Sequence, residues 1–145
     1  MDPHEQLLSD HRALRTRAAD LRAAIENGPR VLALKLDSFQ KVVQKHFRRE
    51  DIYYRILDDE KRLPDRGLVH QLRNDHAAVV FTLESLAIRL RKSGVSADWR
   101  VRFDNLMSVF LPHLNQEEQA LFPAGRKTLS VGELKTITAQ MNSCE

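Results

Sequence analysis

Two segments of the sequence carry a histidine followed four residues later by a glutamate and then by a second acid. They read HFRRED from His46 and HLNQEE from His113. A lone histidine precedes each motif in a similar local context, SDHRAL around His11 and NDHAAV around His76. Residues four apart lie on one face of a helix, and imidazole and carboxylate groups are good metal ligands. The pattern therefore indicates metal chemistry on a helical hairpin that is used twice.

The residue types favour a pair of ions over a single one. Carboxylates can bridge two ions about 3.5–4 Å apart while histidines complete each side. By symmetry, His11 and His46 are expected to hold one ion and His76 and His113 the other. The bridging carboxylates would then be Glu50 and Glu117. The histidine-rich, thiolate-free set favours iron and leaves manganese and zinc open. The competing interpretation is a metal-free polar layer satisfied by mutual hydrogen bonds.

Breaker residues divide the chain into four long helical stretches that must position these side chains. The predicted stretches are 2–26, 30–62, 65–94 and 96–123, and a short helix is predicted over 130–141. Each long stretch has an apolar stripe at three- and four-residue steps, and a histidine interrupts every stripe. We predict an all-α, antiparallel up-down-up-down four-helix bundle with a short C-terminal fifth helix. The bundle would occupy residues 1–125 and the tail residues 126–145.

The turn positions predict that all four histidines share one level of this bundle. His11 lies 17 residues before Gly28, and His46 lies 18 residues after it. At 1.5 Å per residue both rings come to about 26 Å from that turn. The same count around Gly94 brings the other two histidines level with each other. Four imidazoles and two carboxylates in an apolar core are costly unless they are paired or bind something.

Composition limits the other functional classes. With 145 residues the chain is expected to form one domain, and its net charge of +3 is spread over the helices, so nucleic-acid binding is not predicted. The single Cys144 excludes a disulfide framework and a cysteine-rich zinc site. The start of the sequence lacks a signal-peptide pattern, and no apolar run suits a membrane span. We expect a cytoplasmic protein that is a monomer or a weak homodimer.

These motifs resemble the hemerythrin-like, or HHE cation-binding, domain family over about residues 4–123. The resemblance implies a four-helix bundle around a non-haem di-iron centre with an oxo or hydroxo bridge. It assigns as ligands the same six residues, which are His11, His46, Glu50, His76, His113 and Glu117. Members of the family bind or sense O2, handle nitric oxide or peroxide, or handle iron, so such small ligands are the expected partners.

The sequence departs from the oxygen-carrying members at two places. Those proteins have a second histidine in the third helix, where this chain has Leu72 and Val80, so one iron should have an extra open or solvent-filled position. They also have an aspartate five residues after the last histidine, whereas Glu117 stands at plus four here and Glu118 at plus five. We favour Glu117 as the bridge because it repeats the spacing of Glu50. Both departures favour sensing, redox or iron-handling roles.

Several other polar residues allow two interpretations. Tyr53 is expected either to hydrogen-bond an oxygen species at the metal or to pack at the bundle end. His4 lies two turns from His11 on the same stripe and is interpreted as a frayed terminal residue rather than a further ligand, and His70 is interpreted as exposed. Asp10 and Asp75 are potential acceptors for the imidazoles, although solvated acids are commoner.

An enzyme is not predicted, because no general acid or nucleophile stands apart from the metal layer. Slow oxidase or peroxidase activity at the metals is left open. The alternative function is a metal-free or zinc-stapled bundle that serves as an interaction or regulatory module.

Overall fold

The computed structural model describes residues 2–59, 63 and 66–144, and all regular structure in these residues is helical. The helices are α1 (Pro3–Ala24), α2 (Pro29–Asp59), α3 (Arg66–Ser93), α4 (Ala97–Gln116), α5 (Phe122–Thr128) and α6 (Val131–Ser143). A 3₁₀ turn, Ile25–Asn27, follows α1, and a π-helical segment, Glu117–Leu121, joins α4 to α5. The predicted end of the second stretch at Arg62 and the start of the third at Asp65 lie outside the described residues. None of the described helices combines the length and the apolarity needed to cross a bilayer.

The bundle forms because successive helices return along one another. Helix α1 packs on α2, α2 on α3, and α3 on α4. Gly28 and Gly94 end two of the helical stretches at φ +97° and +68°, a left-handed conformation that glycine adopts without strain. The side chain of Ser96 caps α4, and Ser130 and Glu133 form the predicted capping box of α6. The predicted all-α bundle with a short C-terminal helix is confirmed.

The core is divided by a polar layer. In each of the four long helices the apolar residues at three- and four-residue steps are buried, for example Leu14, Leu36, Leu83 and Phe103. One apolar cluster fills the half of the bundle that includes Leu14, Phe39 and Trp99, and a second includes Leu7 and Leu57. The histidines and glutamates of the two motifs separate these clusters along the stripes.

The end of the fourth stretch differs from the prediction. Helical structure does not end at Pro123 but passes through the π-helical segment into α5, which ends at Thr128. Pro123 lies in the first turn of α5, where a backbone N–H needs no intrahelical acceptor, so proline is tolerated. Helix α6 then packs against α1 and α2 and covers this end of the bundle.

Candidate metal centre

The structure brings the six predicted side chains together in one buried layer. The rings of His11 and His46 have centroids 5.0 Å apart, and those of His76 and His113 are 4.9 Å apart. None of the six residues is more than 7 % exposed. The level predicted by counting from the turns is therefore the level at which the rings meet.

The carboxylate of Glu50 reaches both pairs of histidines. Its Oε2 lies 3.4 Å from Nε2 of His11, and its Oε1 lies 3.1 Å from Nε2 of His46. The same Oε1 lies 3.0 Å from Nε2 of His76 and 3.7 Å from Nε2 of His113. All four rings therefore turn their Nε2 atoms towards this one side chain.

The carboxylate of Glu117 also spans the layer. Its Oε1 lies 3.3 Å from Nε2 of His11 and 3.2 Å from Nε2 of His113. The potential ligand atoms form two groups, and within each group all atoms lie within 4.8 Å of one another. The groups are His11, His46, Glu50 and Glu117, and Glu50, His76, His113 and Glu117. Both carboxylates belong to both groups, so each could contact a cation held by either pair of histidines.

Unpaired buried atoms show that a cation suits this layer. Nε2 of His46, Nε2 of His113 and Oε1 of Glu117 have no hydrogen-bond partner within the described residues. Each buried polar atom without a partner costs about 1–3 kcal/mol. All three belong to the two ligand groups, where bound cations would satisfy them. The nitrogen and oxygen donors, without thiolate, fit iron, manganese or zinc.

An outer set of acids faces the opposite nitrogen, Nδ1, of each ring. Each acid forms a pair with one ring, and three of the four pairs are hydrogen-bonded. In the fourth, Nδ1 of His76 and Oδ1 of Asp51 are 3.4 Å apart and do not meet hydrogen-bond geometry. The pairs are His11–Glu118 (2.7 Å), His46–Asp10 (3.0 Å), His113–Asp75 (3.1 Å) and His76–Asp51 (3.4 Å). Such acceptors fix the tautomer that leaves Nε2 free to bind a metal.

Two of these acids correct the sequence interpretation. Asp10 and Asp75 were more often expected to be solvated, but each lies within hydrogen-bond distance of an imidazole. Each acid contacts a histidine on the neighbouring helix and not the histidine that follows it in the sequence. The reason is that adjacent residues on a helix point about 100° apart, so an acid beside one ring faces the next helix.

The two glutamates at the end of the second motif lie on different sides of the ring of His11. Glu117 is fully buried and faces the layer, whereas Glu118 bonds to Nδ1 of His11 and pairs with Arg15 at 2.8 Å. The π-helical segment begins at Glu117 and holds both acids. Glu117, the carboxylate four residues after His113, is thus the one that lies near a histidine of each pair.

Tyr54 is a site residue that the sequence analysis missed. Its hydroxyl donates a hydrogen bond to Oε2 of Glu117 and lies 3.1 Å from Nε2 of His76. The available signal was its position four residues after Glu50, on the same helical face. Leu121 holds the equivalent position after Glu117, so the two halves of the site differ here.

The neighbouring Tyr53 lies outside the layer. Its hydroxyl is 2.6 Å from Nε2 of His4, so it packs at the bundle end, the second of the two predicted roles. The interpretation of His4 as frayed is wrong, because its side chain is fully buried. Asp2 caps the first turn of α1 and Tyr53 supplies a polar partner, which together hold His4 in place. His70 is exposed, as predicted.

The charges in the layer favour protons on the rings when no metal is present. Burial by itself lowers the pKa of His11, but the adjacent carboxylates of Glu117 and Glu50 raise it to about 10. Burial is likewise outweighed at His113, where the same carboxylates raise the pKa to about 11. Burial opposes the charged form of Glu50 too, yet the surrounding rings hold its pKa well below the usual value. Protons and metal ions therefore compete for the same nitrogen atoms.

Comparison with family models gives a match to the hemerythrin HHE cation binding domain over residues 2–125. The chain belongs to the hemerythrin HHE family. Searches of curated proteins and of solved structures gave no match. Cation binding by this HHE domain agrees with the two groups of buried histidine and glutamate residues.

Proposed function

We propose that this HHE domain binds two metal ions, iron in preference to manganese or zinc. The observation that carries the proposal is the pair of overlapping four-residue groups that share Glu50 and Glu117. One ion would be held by His11 and His46 and the other by His76 and His113. With all six side chains engaged, the unpaired nitrogens and the unpaired oxygen of the layer gain partners.

The chain's own groups prepare these ligands for binding. The acids on the Nδ1 atoms orient three of the rings, so that the Nε2 lone pairs face inward. The apolar clusters on both sides exclude water from the layer and strengthen its electrostatic interactions. Bound iron would supply Lewis-acid and one-electron redox chemistry.

We further propose that the centre binds or senses O2, nitric oxide or peroxide, or takes part in iron handling. The positions of the missing histidine are occupied by the fully buried Leu72 and by Val80, which have no ligand atom. The His76 side therefore has fewer histidine donors than an oxygen carrier, and Tyr54 is the polar group that lies there. This asymmetry supports sensing or redox roles over reversible oxygen carriage.

Anaerobic reconstitution tests the proposal. The metal-free protein is incubated with ferrous iron, desalted and analysed for iron and protein, and then titrated with O2, nitric oxide and peroxide while its absorption spectrum is recorded. We expect about two irons per chain and charge-transfer bands in the near ultraviolet after oxidation. His70→Ala is the matched control, because His70 is an exposed histidine of α3 outside the layer.

A colourless protein that stays iron-free after this treatment would contradict the proposal. That result would favour the alternative, a metal-free or zinc-stapled bundle that acts through protein contacts. Incubation with zinc then separates the two forms of this alternative. Retention of one or two zinc ions per chain, with no response to the three small ligands, would indicate the zinc-stapled form, and no retained zinc would indicate the metal-free one.

A further inference from the structure

The four rings of the layer are not held equally firmly. The acids beside His11, His46 and His113 lie 2.7–3.1 Å from Nδ1. Their exposed side-chain fractions are 25 %, 20 % and 22 %. Asp51, which lies beside His76, is 3.4 Å away and 55 % exposed. Nδ1 of His76 has no hydrogen-bond partner among the described residues. His76 is thus the least restrained of the four rings.

His76 is also the point at which the layer comes closest to the surface. Its side chain is 9 % exposed, whereas the other five candidate ligands are at most 2 % exposed. It lines a surface groove of about 500 Å³ together with Phe47, Asp51, Ala77 and Val80. The ring stacks on Phe47 with centroids 3.7 Å apart, a contact that allows in-plane sliding more readily than a directional hydrogen bond would.

The inner nitrogen of His76 has polar partners that belong to the protein. Its Nε2 lies 3.1 Å from the hydroxyl of Tyr54 and 3.0 Å from Glu50. Nε2 of His11 has one such partner, Glu50 at 3.4 Å, and in the described part of the chain Nε2 of His46 and Nε2 of His113 have none. Loss of a cation therefore leaves Nε2 of His76 with two partners in the protein, more than any other inner nitrogen, which lowers the cost of releasing this ligand.

The opposite side of the layer is braced from outside. Glu118, on His11, pairs with Arg15 at 2.8 Å, and Asp10, on His46, pairs with Arg49 at 3.0 Å. These arginines fix the acids that in turn fix the two rings. Movement of either ring would break a network of charged hydrogen bonds, which makes this pair the slower one to exchange a ligand.

We propose that the two metal positions are kinetically unequal, and that the cation on the His76–His113 side enters and leaves first, through the groove at His76. This inference rests on the proposed function. Two acids, Asp51 and Glu84, line the groove against one arginine, Arg73, which is itself paired with Asp58, so the groove favours an incoming divalent cation. The position on the His11–His46 side is the retained one and exchanges only after the first cation has left.

Chelator extraction tests the proposal without any measurement of activity. Protein loaded anaerobically with ferrous iron is mixed with excess EDTA, and the iron retained after rapid desalting is measured over time. We expect two phases of one equivalent each. Ala77→Phe fills the groove and should slow the fast phase severalfold. Ala78→Phe is the matched control, because Ala78 is a neighbouring exposed alanine that does not line the groove.

A second pair of variants assigns the phases to the two sides. Asp10→Asn should accelerate the slow phase by about tenfold, since loss of such an acceptor weakens metal binding by that order. Asp51→Asn removes a charge beside His76 but no hydrogen bond, and it should change the rate of the fast phase only. Asp37→Asn, an exposed acid of α2 that pairs with Lys41, controls for the change in net charge.

A single phase of two equivalents would overturn the proposal, as would Ala77→Phe and Ala78→Phe proteins with equal rates. Acceleration of the slow phase by Asp51→Asn would also overturn it, because the assignment of the sides would be reversed. Each of these results leaves two-iron binding intact. A protein that retains no iron before EDTA is added would refute the proposed function itself.

Discussion

Metal binding at this centre should release protons from the histidine rings. Burial lowers the pKa of each ring, but the adjacent carboxylates more than reverse the effect. The resulting pKa values are about 9 for His46, about 10 for His11 and about 11 for His113. At pH 7.5 each of these rings is more than about nine-tenths protonated in the metal-free protein. A ring must be neutral to bind a metal, so loading should release about three protons per chain.

Isothermal titration measures this release directly. Ferrous iron is added anaerobically to the metal-free protein at pH 7.5 in two buffers with different enthalpies of ionisation, and the difference in heat gives the number of protons. Glu50→Ala protein, which lacks a shared carboxylate, supplies the blank. Release of less than one proton per chain at saturation would refute the reasoning. It would mean that the three histidine rings are already neutral in the metal-free protein, despite the carboxylates around them.

Four further results are expected. The raised pKa values of these rings exceed that of an unfolded histidine, so their stabilising effect is complete below pH 6.5 and is lost as pH rises from there through about 9–11. The melting temperature of the metal-free protein should therefore fall between pH 6.5 and about 11, and an unchanged value would contradict this. Glu50→Ala should abolish two-metal occupancy while His70→Ala retains it, as measured by elemental analysis. Gly125→Ala should cost about 1–3 kcal/mol in denaturant unfolding, because its Cβ would lie 1.8 Å from the Tyr53 hydroxyl; a stability equal to that of the parent would count against this contact. Tyr54→Phe should keep two metals but lower metal affinity by about tenfold, through the lost bonds to the layer, and an unchanged affinity in a chelator competition would exclude that role.

The level of the buried histidine and glutamate layer was predictable because a helix has a fixed rise per residue. Counting from Gly28 and Gly94 needs only the positions of the turns, and each position was marked by a glycine. The stripe residues were predictable for the same reason, since their three- and four-residue steps define one helical face. Helix ends marked by a serine and an acid, as at Ser130, were predicted by their capping chemistry.

The other features depend on contacts between helices, which spacing within one helix does not show. The pairing of Asp10 with His46 and of Asp75 with His113 links residues of neighbouring helices. The burial of His4 depends on the hydroxyl of Tyr53, which is 49 residues away in the sequence.

The π-helical segment explains the remaining error. A π turn changes which residues share a face, so the pattern beyond Glu117 no longer follows the 3.6-residue period. Proline was taken as the end of the fourth helix because it breaks a regular helix interior. After a π turn, Pro123 instead falls in the first turn of α5, a position at which proline is common.

The most direct test of the metal centre is X-ray absorption spectroscopy of the iron-reconstituted protein, with iron and protein quantified in the same sample. The overlapping groups around Glu50 and Glu117 predict about two irons per chain with nitrogen and oxygen neighbours and an iron–iron distance of about 3.5–4 Å. One iron per chain without an iron–iron vector, or a spectrum of iron bound only to water and surface carboxylates, would contradict a shared pair of ions.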